Sequence, residues 1–106
     1  MSHPQIEVLT FAGCPHAQPT LELVGRIVTE LELEASIRHV DVSDLEQAEA
    51  HRFVGSPTIR VNGSDIEPGV GERTEYTLAC RIYRTEIGAN GEPDERWLRQ
   101  ALVESA

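Results

Sequence analysis

Lysine is missing from this sequence altogether, so its nine basic residues are all arginine. That removes the side chain used for Schiff bases and amine nucleophiles. Positive charge is scarce as well, with 9 basic residues against 18 acidic ones and a formal net charge of −9. Nucleic acid and anionic membranes both want basic faces, so neither is expected as a partner. Cysteine is limited to Cys14 and Cys80, too few for a disulfide-stapled secreted scaffold. No apolar run reaches the ~20 residues of a membrane span, and no charged stretch followed by an apolar segment marks a secretory leader. A reducing, cytoplasmic location is the expectation. No phosphate-binding loop, Ser-His-Asp arrangement or internal repeat is present. His3, His39 and His51 are scattered without ligand spacing, and the two cysteines do not complete a zinc site with them, so no metal or other cofactor is expected. The 106 residues, 40% hydrophobic and 25% charged, suit one domain spanning 1–106.

What is there centres on residues 11–20, Phe-Ala-Gly-Cys-Pro-His-Ala-Gln-Pro-Thr. A mostly apolar run over 5–11 reads as a central strand and feeds an Ala12-Gly13 turn. Cys14 and Pro15 follow, then a helix over 15–33 with Leu21, Val24, Ile27 or Val28, and Leu31 on its apolar stripe. Proline suits the first helical position, because the N–H it lacks has no partner there. Cys14 then sits at a helix N-terminus, where unpaired N–H groups and the macrodipole favour an anion. Thiolate is the nucleophilic form of cysteine, and such surroundings promote it. The alternative is a small buried apolar residue, the usual fate of a free cysteine. Strand, turn, Cys, Pro and helix in that order favour the reactive reading. Pro19 falls in the first turns of the helix as a candidate kink, and Gly25 in mid-helix points to close packing on a sheet.

A second strand is expected over 36–42, carrying Ile37, Val40 and Val42. Ser43 or Asp44 then caps a short helix bearing Leu45 and Ala48, with Ser43-Asp44-Leu45-Glu46 in a capping-box pattern. The run Thr58-Ile59-Arg60-Val61 alternates, and Asn62-Gly63 after it is a hairpin signal because both residues tolerate positive φ. A return strand over 64–67 ends at Pro68-Gly69. Residues 71–92 form an insertion before a closing helix over 93–103 with Trp97, Leu98, Ala101 and Leu102 on its apolar face. Within the insertion, Tyr76, Leu78, Cys80 and Ile82 alternate, which predicts an extra strand; a helix over 72–84 is the competing reading, and 88–91 reads as a turn.

Cys80 has two readings. It is either a resolving thiol, or second soft-metal ligand, reaching back to Cys14, or a core residue on an apolar strand face, the commoner case. A disulfide would need the two Cα atoms within ~7 Å. His16 likewise either stabilises a Cys14 thiolate or faces solvent from the first helical turn.

Cys14-Pro15-His16-Ala17 resembles the active-site turn of the thioredoxin superfamily, whose redox members carry Cys-x-x-Cys. The second cysteine is replaced by Ala17, which excludes dithiol chemistry within the motif and leaves monothiol chemistry. The element order fits as well. The resemblance implies an α/β, thioredoxin-like fold with a central mixed sheet of about four strands flanked by helices, plus the insertion before the C-terminal helix. It further implies that Pro57, just before the third strand, is cis and faces the reactive sulfur. Ser56 would then offer its backbone to a bound peptide or thiol as an added strand would. Across nearly the whole chain, Gly13-Cys14-Pro15, Gly55-Ser56-Pro57-Thr58, Val61-Asn62-Gly63 and Cys80-Arg81-Ile82-Tyr83 resemble a group of small bacterial thioredoxin-like proteins. Some of those hold selenocysteine in the place of Cys14, and some are labelled alkylmercury lyase. Organomercurial lyases place a proton-donating Asp three residues after a Cys; here that position is Ala17.

The expected activity is that of a monothiol thiol–disulfide oxidoreductase or thiol-dependent reductase. Cys14 is the attacking sulfur and Cys80 its candidate resolving partner. Pro15, His16, Ser56 and Pro57 are the candidate substrate-binding residues. The partner would be a small-molecule thiol or disulfide, or a protein thiol. The alternative is a non-catalytic binding module for a thiol ligand, a protein or a soft metal such as Hg(II) or Cu(I).

Overall fold

A computed structural model of the chain describes residues 3–70, 75–85 and 88–105. Strand β1 (Gln5–Thr10) is the inner strand on which the others are hung. It pairs in parallel with β2 (Ser36–Asp41) and antiparallel with β3 (Thr58–Val61), and β4 (Ser64–Asp65) closes the order β2-β1-β3-β4. The apolar run of β1 is explained by this position, since it is buried from both faces. Ile6 and Val8 point to one side and Leu9 to the other.

Helices cover each face. On the first, α1 (Ala17–Glu30) contributes Val24 and Ile27, and the helix Glu95–Ser105 contributes Leu98 and Leu102. These four side chains are fully buried, worth roughly 1.5–3 kcal/mol apiece against exposure. The two helices are also tied at their surfaces by a four-membered ionic network, in which Arg26 and Arg99 each bridge Glu30 and Glu95. On the second face, α2 (Leu45–Ala50) presses Ala48 toward Leu9, Val40, Val42 and Phe53. Arg60 Nη2 donates to the carbonyls of His51 (2.6 Å) and Arg52 (3.0 Å), fixing the end of α2 to β3. In chain order a two-stranded hairpin, β5 (Tyr83–Thr85) and β6 (Gly88–Asn90), comes before the last helix, α3. The chain is therefore a compact α/β domain with a mixed four-stranded sheet and, among the described residues, three helices.

Several boundaries move from the sequence expectation, each for a physical reason. Helix α1 begins at Ala17 with His16 as N-cap, so Pro15 precedes the helix and is not its first residue. Pro19 is the third helical residue, where no intrahelical N–H is required, and it does not break the helix. The chain leaves α1 at Leu31, and Glu32 turns it with φ +52°. The cap of α2 is Asp44, which accepts from the Gln47 amide at 2.8 Å. Gln47 Oε1 reaches back to the Ser43 amide and hydroxyl, both at 2.9 Å, so the capping pair lies one residue beyond the Ser43–Glu46 pattern. Leu45 and Ile37 are exposed, because α2 is one short turn and a half and β2 is the edge of the sheet. The Asn62-Gly63 hairpin forms as expected, with φ values of +52° and +87°.

The extra strand over 76–82 is a correction. Residues 75–82 hold a single isolated bridge at Cys80, and the hairpin strands come later, with Gly88–Asn90 as strand β6 in place of the expected turn. The helix over 72–84 is also corrected: 75–84 are not helical, and 72–74 lie outside the described residues.

Candidate functional site

The register of β1 on β3 decides what meets at the candidate site. Leu9 pairs with Thr58, so the segment leaving β1 and the segment entering β3 share one end of the sheet. From β1 the chain makes the Cys14 turn: the Cys14 amide donates to the Phe11 carbonyl at 3.2 Å, and the Cys14 carbonyl accepts from the Ala17 amide at 3.3 Å. Cys14 is half-buried, carries no disulfide, and lies two residues before the N-cap. No described side chain caps that first turn, so the positive end of the α1 dipole is left toward the Cys14 turn. Into β3 the chain passes through Ser56-Pro57, whose peptide bond is cis.

A third segment joins this end. Residues 77–81 run as a strap alongside 53–56: Thr77 N donates to Phe53 O (3.0 Å), Ser56 N to Ala79 O (2.9 Å) and Arg81 N to Ser56 O (2.8 Å). The pattern is a parallel bridge between Ser56 and Cys80. Ser56 is fully buried with its N–H and C=O both taken. This corrects the expectation that its backbone faces an outside strand, because the chain itself supplies that strand. Gly55 makes the close approach workable. Its φ is +125°, and a Cβ there would meet Arg81 Cβ at 2.9 Å and Ala79 O at 3.2 Å.

The strap is fastened by Arg81, whose side chain is 1% exposed. Its Nη1 donates to Asp65 Oδ2 at 2.7 Å and Thr58 Oγ1 at 3.0 Å; its Nη2 donates to Asp65 Oδ1 at 3.0 Å and Glu67 Oε1 at 2.9 Å. The guanidinium carbon also lies 4.3 Å from the centre of the Tyr83 ring. Burial works against the Arg81 charge, but hydrogen bonding to Asp65, reinforced by Tyr83 and Glu67, holds its pKa above arginine's ordinary value. Tyr83 in turn donates its hydroxyl to the Pro57 carbonyl. Sheet edge, cis-proline and strap are thus one hydrogen-bonded unit.

His16 does not point freely into solvent. Its Nδ1 lies 3.2 Å from Glu92 Oε2, and its ring packs where a side chain on Gly91 would stand. Cys80 is exposed and free, with its backbone in the bridge to Ser56, so the apolar core reading of Cys80 is set aside. Both sulfurs belong to segments at the same sheet end. Among the described residues, no cluster of three or more His, Cys, Asp or Glu side chains is arranged to hold a metal ion. No described helix is long and apolar enough to cross a membrane.

Sequence reasoning missed Arg81, Asp65, Glu67 and Tyr83. The alternation in 76–82 predicts the apolar set inward, whereas Arg81 and Tyr83 are buried and Ile82 is 68% exposed. The sequence offers little signal for them, since Asp65 and Glu67 read as ordinary exposed acids until the structure brings Arg81 to them.

A scan of the chain against protein-family models finds no match, and a comparison with curated proteins finds none either.

Proposed function

We propose that this chain is a thioredoxin-like thiol–disulfide oxidoreductase of monothiol type, with Cys14 as the attacking sulfur. The observation that carries the reading is the meeting, at one end of the sheet, of the Cys14 turn and the Ser56–Pro57 segment that enters β3. The fold supports it through the mixed sheet order and the helix that follows Cys14. In the reaction, the Cys14 thiolate attacks one sulfur of a disulfide. The S–S bond breaks, the other sulfur leaves as a thiolate, and Cys14 is held in a mixed disulfide. A second thiol, from solution or from Cys80, attacks that mixed disulfide and displaces the next thiolate. With Ala17 at the place of a second motif cysteine, the resolving sulfur comes from outside the turn.

Ala17 also favours a second reading, a binding module that holds a thiol ligand, a protein or a soft metal such as Hg(II) without turnover. One experiment separates the two. The protein and its Cys14→Ser variant are assayed for disulfide exchange, and alkylation sites are mapped by mass spectrometry at neutral pH. The oxidoreductase reading expects turnover that disappears in Cys14→Ser, and alkylation of Cys14 ahead of Cys80. Equal absence of turnover in both proteins leaves the binding module.

A further inference from the structure

We propose that the Cys14 site accepts compact, low-molecular-weight disulfides and thiols and excludes extended polypeptide. The inference rests on the reading of Cys14 as a nucleophile and adds the substrate class. An extended peptide docks on a sheet by pairing its main chain with free N–H and C=O groups, and its affinity comes largely from those bonds. At the sheet end shared with the Cys14 turn, where the chain enters β3, the groups that would serve are those of Ser56. Both are already used, by Ala79 O at 2.9 Å and Arg81 N at 2.8 Å, and Phe53 O is taken by Thr77 N at 3.0 Å.

The strap is not a loosely laid segment that a peptide could displace. Removing it would pull the buried Arg81 guanidinium away from Asp65, Glu67 and Thr58 and from the Tyr83 ring. It would leave two carboxylates facing each other without a cation, a far larger loss than any peptide would return through two or three main-chain bonds. Cys14 itself stays half-exposed. A small disulfide needs only that sulfur; a polypeptide disulfide also needs room for its backbone where the strap lies.

The test compares two mixed disulfides that share a 2-nitro-5-thiobenzoate leaving group. One carries it on 2-mercaptoethanol, the other on a cysteine at the centre of a neutral, extended peptide. The Cys80→Ser protein is used so that Cys14 alone reports. Its thiolate attacks the carrier sulfur, the S–S bond breaks, and the coloured thiolate departs with the electron pair. Each rate is divided by that of the same reagent with a free model thiol. The compact carrier is expected to react about tenfold or more faster than the peptide carrier, since the peptide forgoes its docking bonds and meets the strap. Asp65→Asn, which weakens the fastening, is expected to narrow that ratio. A normalised peptide rate equal to or above the compact one overturns the proposal. So do fast-exchanging Ser56 and Arg81 amides in hydrogen exchange, which would show the strap open even while Cys14 reacts. If neither reagent reacts faster with Cys14 than with the model thiol, the nucleophile reading itself falls, whatever the amides show.

Discussion

Replacing Arg81 by methionine keeps an apolar stem of similar reach and removes the buried cation on which the strap hangs. The guanidinium makes four hydrogen bonds, two of them to Asp65 and one each to Glu67 and Thr58. The side chains of Asp65 and Glu67 are only 9% and 15% exposed, so their charges cannot simply turn to water. Breaking such a pair by deleting one partner costs about 3–5 kcal/mol, mostly through the uncompensated charge left behind. The Tyr83 contact is contained in that figure and is not added to it. A typical urea dependence converts the loss to a midpoint about 2 M lower. Trp97, the one tryptophan, lies 6.0 Å from the Tyr83 ring and reports unfolding by fluorescence. A second variant combines Arg81→Met with Asp65→Asn and Glu67→Gln. Because it removes the stranded charges, it should recover a substantial part of the loss. A single-variant loss below about 1 kcal/mol would refute the buried-cation argument, given the usual range for such pairs. So would a combined variant no more stable than the single one.

Three further outcomes follow from the same geometry. Gly55→Ala should lose about 2–3 kcal/mol in urea unfolding, because an L-residue at φ +125° is strained and its Cβ meets Arg81 at 2.9 Å; an unchanged midpoint would contradict the close approach. Ser56→Ala should be neutral or stabilising by up to about 1 kcal/mol, since the buried Ser56 hydroxyl has no partner among the described residues and only the backbone is used; a clear loss of stability would assign the hydroxyl a role the structure does not give it. Acid should weaken the α1–α3 contact. Hydrogen bonding to Arg99 and then Arg26 holds Glu30 below glutamate's ordinary 4.5, and Arg26 and then Arg99 do the same for Glu95. A carboxylate depressed in the folded state contributes stability that is complete above its unfolded pKa and disappears as pH falls through the folded one. Urea midpoints measured between about pH 5 and pH 3 should therefore fall with acid, and Arg99→Gln should flatten that fall; a parallel slope in the variant would remove the network from the account.

What the sequence made legible was whatever local chemistry decides. The apolar run of β1, the stripe of α1, the Asn62-Gly63 turn and the face of α3 carrying Leu98 and Leu102 follow from periodicity and backbone preference. So does the turn that exposes Cys14. The insertion departs from its alternation because its organising residue is charged. Alternation assigns Cys80 and Ile82 to the core, whereas a salt bridge between residues 14 and 16 positions apart brings Arg81 inward and turns those two outward. No window of neighbouring residues contains that information. The occupation of Ser56 by the strap was hidden for the same reason: it is a long-range pairing that leaves no local pattern.

The position of β2 has a consequence for how copies of this chain behave when crowded. Among the described residues, Ser36–Asp41 pairs with β1 on one side only, which leaves a row of main-chain donors and acceptors able to template a second strand. Val40 is its one buried side chain, and Arg38 and His39 are exposed along it. Apart from the exposed Ile37, this border is polar and offers an approaching strand little dry surface to close upon. Each copy also carries a net charge of −9, so two borders meet against mutual repulsion that grows as salt is withdrawn.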